Sequence, residues 1–214
     1  MRNYQLVVFC LLLTLVAVAC SDPAANKPKA SVGNAAPESG APKTGAETLT
    51  ISPDNSKVDF VAAKVTRSHN GAFKQFSGTV DLVNNSAEQS VVSINIDTAS
   101  VTADDDQLTG HLKTADFFDV AKYPKATFVS TKIEPDTSNG GTHTITGNFD
   151  LHGVKKSISF PATIQVSPDS VSANAEFSIN RKDFGINYAG PADNLIRDDV
   201  VMSLHITAGK GKYQ

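Results

Sequence analysis

The chain has 214 residues, of which 19 are basic and 22 acidic, for a net charge of -3. So even a balance excludes a binder of nucleic-acid backbones, which needs a dense basic face, and a charged fraction of 19% excludes a disordered polyelectrolyte. No run reaches the roughly 20 apolar residues of a membrane-spanning helix, and both cysteines, Cys10 and Cys20, fall in the first twenty residues, so the rest of the chain has no disulfide and no cysteine-ligated metal.

Residues 1–19 read as a targeting segment. Arg2 carries one positive charge, and 6–18 is an uncharged apolar run of signal-peptide length. The run ends in Ala17, Val18 and Ala19 before Cys20. This junction resembles the lipobox of bacterial lipoproteins. The resemblance implies cleavage before Cys20, diacylation of its thiol and acylation of the new amino terminus; two or more acyl chains anchor a protein stably. Ser21, where an aspartate would signal retention at the inner membrane, implies a periplasm-facing outer-membrane lipoprotein. An ordinary signal peptide cut after Ala19, with Cys20 a free thiol, is the alternative. Cys10 lies in the discarded segment.

Residues 20–48 read as the lipidated cysteine followed by a disordered linker rich in Ala, Pro, Ser and Gly. Val32 is the linker's only large apolar residue, and Lys27, Lys29 and Lys43 offset Asp22, Glu38 and Glu47. Such a segment buries too little apolar surface to offset its ordering entropy. As a flexible chain of about 28 residues it would reach about 30 Å and hold the following domain off the membrane.

From residue 49 to 214 the dominant period is two, which predicts strands. Candidate strands cover 48–51, 58–65, 76–82, 91–97 and 126–133. A further one holds His143, Ile145, Phe149 and Leu151, with Gly147 on its apolar face, where an interior glycine marks a bend, a bulge or a close approach. The clearest alternation runs through Ile158, Phe160, Ala162, Ile164 and Val166, then Val171, Ala173, Ala175, Phe177 and Ile179, then Val200, Met202, Leu204 and Ile206. His152-Gly153, Pro168-Asp169, Asn84-Asn85 and Asn139-Gly140 supply turn chemistry between antiparallel neighbours. Eight or nine such strands must stack as a sandwich or close as a barrel. Pro161 favours a sheet edge or bulge and so complicates closure. Residues 104–120 break the pattern: aspartates 104–106 precede Leu108 and Leu112, which share a helical face, and Tyr123-Pro124 ends the segment. This predicts a short helical connection over a sheet.

Catalytic chemistry is hard to assemble from what is present. The chain has no G-x-S-x-G, no H-E-x-x-H and no phosphate-cradling glycine loop. Asp104, Asp105, Asp106, His111, Asp116 and Asp119 form the one acidic constellation, and a helix cap with a solvated turn explains it better than a metal or acid–base site. His69, His111, His143, His152 and His205 fit no zinc spacing. The reading is a protein with no catalytic residues, no metal and no resident cofactor. Ten of the eleven phenylalanines fall in residues 49–214, with no tryptophan, and permit a large apolar interior that could hold a ligand.

In order along the chain, S-K-V-D-F at 56–60, K-V-T-R-S-H-N-G-A-F at 64–73, F-S-G at 76–78, H-L-K-T-A-D-F-F-D at 111–119, Y-P at 123–124, I-T-G at 145–147, L-H-G-V-K-K at 151–156, N-R-K-D-F-G-I at 180–186 and D-D-V at 198–200 resemble the YceI-like family of lipocalin-like envelope proteins. The resemblance covers about residues 50–208. It implies an all-β fold: an antiparallel lipocalin-like barrel of about eight strands with a hydrophobic tunnel, closed in part by a short helical segment near residues 104–120. It implies non-enzymatic binding or carriage of an isoprenoid lipid or quinone. Phe60, Phe73, Phe117, Phe118, Phe128, Phe149, Phe160 and Phe177 are then the candidate lining residues. Arg181 and Asp183 are candidates to orient a polar head, or else a structural ion pair, which is the preferred reading. Many members carry a histidine where this chain has Lys64; here the histidine comes at His69. A filled barrel serving as a structural or protein-interaction module of the envelope is the competing reading.

Overall fold

The computed structural model describes residues 22–37 and 45–210. Its twelve strands are β1 (Ser31–Asn34), β2 (Glu47–Ile51), β3 (Lys57–Ala63), β4 (Ser68–Phe73), β5 (Phe76–Val83), β6 (Ser86–Asp97), β7 (Val101–Ala103), β8 (Lys125–Pro135), β9 (His143–Leu151), β10 (Val154–Ser167), β11 (Ser170–Asn180) and β12 (Asp199–Gly209), with one helix, α1 (Asp106–Leu112). The sheet closes as an eight-strand antiparallel barrel in the order β10-β9-β8-β6-β5-β2-β12-β11 and back to β10. β3 also pairs with β12, and β4 and β7 follow it in the same sheet.

Alternation becomes inside and outside because strand side chains point to opposite faces. On β10, Ile158, Phe160 and Ala162 are buried while Ser157, Ser159 and Thr163 are not. The turns follow their chemistry. Asn84 and Asn85 both have φ of 52°, and His152 and Gly153 have 54° and 74°, the left-handed pairs that a two-residue hairpin requires. Gly147 faces inward opposite β8; a Cβ there would strike the Phe128 ring and come 2.6 Å from the Val129 carbonyl oxygen. Its role is thus a close approach, and the β8 register shift between Ser130 and Lys132 is the accompanying irregularity.

Pro161 resolves its conflict with closure in a specific way. On its outer edge, β10 pairs with β1 through residues 156–159 and with β11 through residues 163–167. Pro161 sits between the two pairings, where no strand needs its missing N–H. The helix is shorter than the 104–120 segment. Asp105 caps it by accepting from the Leu108 N–H at 2.9 Å, and after Lys113 the chain turns through Phe117, Phe118 and Asp119, the last at φ 44°.

The linker expectation fails for residues 22–37. This stretch lies along the barrel wall, with β1 in register against β10 and Ala30 buried in the core. Low hydrophobicity hid this, because backbone pairing and the buried amide of Asn148, not apolar side chains, hold the segment. The Asn148 amide accepts from the Ala36 N–H at 2.9 Å and donates to the Ala36 carbonyl at 2.7 Å. Residues 1–19, Cys20 and the stretch 38–44 lie outside the described residues.

Gly147→Ala should destabilise the fold by about 1–3 kcal/mol through overpacking. Gly33→Ala, in open space on β1, should leave it unchanged. Urea denaturation of the two variants beside the wild type measures both.

Candidate functional site: an apolar cavity inside the barrel

The inward side chains of β5, β6 and β8–β12 surround a cavity of about 100 Å³ that runs along the barrel. Its wall is hydrocarbon: Val80 and Leu82 from β5, Ile94 and Ile96 from β6, Ile145 and Phe149 from β9, Met202, Leu204 and Ile206 from β12, and their neighbours. Ser90 is the one lining residue with a side-chain hydroxyl, and its oxygen is engaged, donating to the Ser86 carbonyl at 2.6 Å and accepting from the Val83 N–H at 3.2 Å. A wall with no free polar group can stabilise only a hydrocarbon occupant, since any polar group brought in would lose its water without replacement.

The eight candidate phenylalanines divide. Phe128, Phe149, Phe160 and Phe177 line the cavity. Phe160 and Phe177 stack with centroids 4.2 Å apart and planes at 12°, and Phe128 packs on Phe160 at 5.8 Å. Phe60, Phe73, Phe117 and Phe118 form a separate aromatic layer toward the helix. There Phe60 covers Gly71 and meets Phe73, Phe73 meets Phe118, and Phe117 packs edge-on against His111 and Tyr188. Sequence reasoning favoured phenylalanine for its bulk and passed over the aliphatic lining. The same period-two rows already contained Ile94, Ile145, Ile158, Met202 and Leu204.

Arg181 and Asp183 are not an ion pair. Arg181 is 5% exposed in the 3-10 turn Arg181–Phe184. It donates to the carbonyls of Ile186 at 2.7 Å, Arg197 at 3.1 Å and Ile196 at 3.4 Å, and to the Asp198 carboxylate at 3.3 Å. Burial pulls its pKa below the usual arginine value, and Asp198 partly opposes this. The guanidinium therefore clips the loop before β12 to the end of β11. Asp183 points to solvent, and neither residue lines the cavity. The sequence placed the two charges two positions apart, but the fixed fork of arginine found a better match in a cluster of loop carbonyls.

The acidic constellation is dispersed into local duties. Asp104 accepts from the Asn70 N–H at 3.0 Å and contacts His69 Nδ1 at 2.7 Å; the backbone N–H first and the histidine second hold its carboxyl below the usual range. His111 Nε2 lies 2.7 Å from Asp116. Among the described residues no three His, Cys, Asp or Glu side chains are disposed to hold a metal ion. Lys64, Arg67, His69 and His111 border a separate polar cleft outside the barrel, beside α1.

A family model described as the YceI-like domain matches residues 49–208. The chain belongs to the YceI-like family. Among curated relatives, a UPF0312 protein of Pseudomonas putida strain W619 is 33% identical over 136 residues, which is 61% of this chain and 70% of the relative. One of Pseudomonas fluorescens strain SBW25 is 31% identical over the same share. Among solved structures, Burkholderia cenocepacia BcnA is 27% identical with a TM-score of 0.65, covering 74% of this chain and 99% of that one. The Campylobacter jejuni YceI protein is 27% identical with a TM-score of 0.57, covering 66% and 85%. A polyisoprenoid binding domain from Saccharophagus degradans shares the fold at 19% identity and a TM-score of 0.59, covering 76% and 99%. This chain builds the YceI-like barrel around an apolar interior.

Arg181→Met should cost about 2–4 kcal/mol, because it strands the Ile186 carbonyl and leaves Asp198 without its buried partner. Chemical denaturation measures the loss.

Proposed function

We propose that this protein is a non-catalytic lipoprotein of the bacterial envelope that binds or carries a long-chain isoprenoid lipid or quinone inside its barrel. The observation that carries the reading is the all-hydrocarbon cavity wall, in which even the Ser90 hydroxyl is turned to the backbone. Phe128, Phe149, Phe160 and Phe177 are the aromatic contacts for the chain, flanked by Ile145, Ile158 and Met202. The isoprenoid class is supported by the family and by a fold neighbour named for polyisoprenoid binding.

The volume sets a condition. Pockets that hold drug-sized ligands run to about 300–1,000 Å³, whereas this cavity is about 100 Å³. The barrel described here is therefore nearly shut, and a long chain is accommodated only as side chains and strands move apart. The same small volume is what favours the second reading, a filled barrel acting as a structural module.

The lipid anchor at Cys20 belongs to the proposal too. It changes meaning once residues 22–37 lie on the barrel. Asp22 pairs with Arg197 at 3.0 Å, and the two residues from Cys20 to Asp22 span at most about 7 Å. An acylated Cys20 would then hold the barrel close against the periplasmic face of the outer membrane, with the cavity near its source of lipid.

Organic extraction of the full chain purified from a bacterial envelope, followed by mass spectrometry, should recover a prenyl lipid in near-stoichiometric amount. An empty extract together with no uptake of prenyl chains would favour the filled barrel. Metabolic labelling of cells with a fatty-acid analogue should mark the wild type and not Cys20→Ser; label retained on Cys20→Ser would refute the anchor.

A further inference from the structure

The barrel wall forks between β10 and β11. These strands pair over five residue pairs, from Thr163 opposite Asn174 to Ser167 opposite Ser170. By contrast β9 and β10 pair over nine, and β11 and β12 over eleven. Beyond Thr163 the two strands part, although both continue: β10 back to Val154 and β11 on to Asn180. The residues that flank the fork are small or lack an N–H, namely Pro161 and Ala162 on one side and Ala175 on the other.

Three layers cover this fork. Inside, the stacked rings of Phe160 from β10 and Phe177 from β11 span the gap that the backbone leaves unpaired. In the wall, Ala162 and Ala175 line both the inner cavity and an outer cleft of about 450 Å³, whose rim includes Pro28, Pro161 and Glu176. Two alanines thus separate the apolar interior from a solvent-facing cleft. Outside, the N-terminal segment bridges the strands. The Ser178 N–H of β11 donates to the Pro28 carbonyl at 2.8 Å, and the Ala30 N–H donates to the Ser178 carbonyl at 2.9 Å. One residue later β1 begins its pairing with β10.

The barrel wall is shaped to receive this strap. Asn148 and Ser178 are polar side chains on the outer faces of β9 and β11, yet they are 3% and 2% exposed. Asn148 makes both of its amide hydrogen bonds to Ala36 of the strap, and without the strap that amide has no protein partner for either group. The strap is nonetheless weakly held. Its apolar contribution is Ala24, Ala30 and Val32; within residues 28–34 the ion pair of Lys29 with Asp199 is exposed, as is that of Lys27 with Glu176 just before it, and the part-buried Asp22–Arg197 pair holds only the start of the segment. Exposed pairs of this kind add little and are screened by salt. Such a segment opens locally at far lower cost than the barrel unfolds.

We infer that the β10–β11 fork is the portal through which a hydrocarbon chain passes into the barrel, and that residues 28–34 are its removable outer latch. The inference rests on the lipid-binding reading above. Release of the strap uncovers the fork, rotation of Phe160 away from Phe177 opens the wall at Ala162 and Ala175, and the chain passes sideways between the strands. A nearly shut barrel thereby loads without dismantling the aromatic layer of Phe60, Phe73, Phe117 and Phe118 at the helical end.

Pinning the latch tests this. Lys29 and Ser178 are bridge partners, so a Lys29→Cys/Ser178→Cys pair, in the full chain with Cys10→Ser and Cys20→Ser, ties the strap to β11 when oxidised and frees it when reduced. The probe is all-trans-retinol, a fluorescent isoprenoid alcohol, delivered from phosphatidylcholine vesicles and followed by its emission. The oxidised protein should load at least about tenfold more slowly than the same protein after reduction. Asn148→Ala, which removes the clamp on Ala36, should load faster than wild type while its Ser178 amide exchanges hydrogen faster. Equal loading rates in the oxidised and reduced protein would overturn the portal and leave lipid binding standing, with the chain passing through a barrel end instead. Absence of loading in the wild type, the reduced pair and Asn148→Ala alike would overturn the lipid reading, and the portal with it.

Discussion

A closed sheet has no free edge, and this molecule is organised around bringing one pair of edges, β10 and β11, together. Elsewhere in the ring β9 and β10 pair over nine residues and β11 and β12 over eleven. At this seam the ladder is half length, and the remainder is completed by a different piece of chain. The segment 22–37 donates and accepts on both sides of the fork, so the backbone groups that divergence would leave without partners are satisfied by β1 and Pro28. Pro161, which could not have taken part in a ladder there, occupies the one stretch of β10 that needs none.

Closure decides what the interior can do. Once the ring is complete, each strand sends every second side chain inward. The inner rows of this chain hold aliphatic residues and phenylalanine without an unpaired polar group. The result is a space that discriminates by solubility rather than by hydrogen bonding, suited to a hydrocarbon chain and indifferent to its head. The polar investment lies elsewhere. Arg181 gathers three loop carbonyls, Asn148 grips the backbone of Ala36, Ser90 closes on its own strand pair, and the Thr98 hydroxyl donates to the Tyr123 carbonyl at 2.6 Å. Each of these buried polar groups fastens one segment to another, and none is presented to a substrate.

The proposed lipid anchor at Cys20 would tie membrane attachment to the barrel. A tether that hangs free is only a spacer, but one whose first residues are part of the barrel wall shares its fate with the wall. Docked, the proposed anchor would bring the cavity to the membrane surface; released, it would lengthen the connection and uncover the β10–β11 fork. One segment of low apolar content can serve in both ways because its binding uses backbone hydrogen bonds and exposed charges, which are individually weak and collectively reversible.

The period of two along 154–166 and 171–179 and the Asn-Asn and His-Gly turns were enough to read antiparallel strands, because alternation and turn chemistry are local and the chain states them outright; the choice of a barrel over a sandwich came from the resemblance carried by the ordered motifs through 56–200. The aspartate cap before Leu108 was legible for the same reason, and Gly147 was marked as a bend, a bulge or a close approach, of which the structure shows the last. What the residues could not state alone was partnership at a distance. Arg181 lies two positions from Asp183 but bonds to carbonyls 5 to 16 residues away; Phe60 and Phe160 look alike in the chain but fall in different layers; and the linker, bland by composition, finds 112 residues on the one buried amide that fits it. Local hydrogen bonding and hydrophobic period are properties of a few neighbouring residues, and so the sequence determined the elements and their inner faces. Which edge stayed open, what covered it and which side chains met across it depended on strands far apart in the chain coming together, and only the tertiary structure decided that.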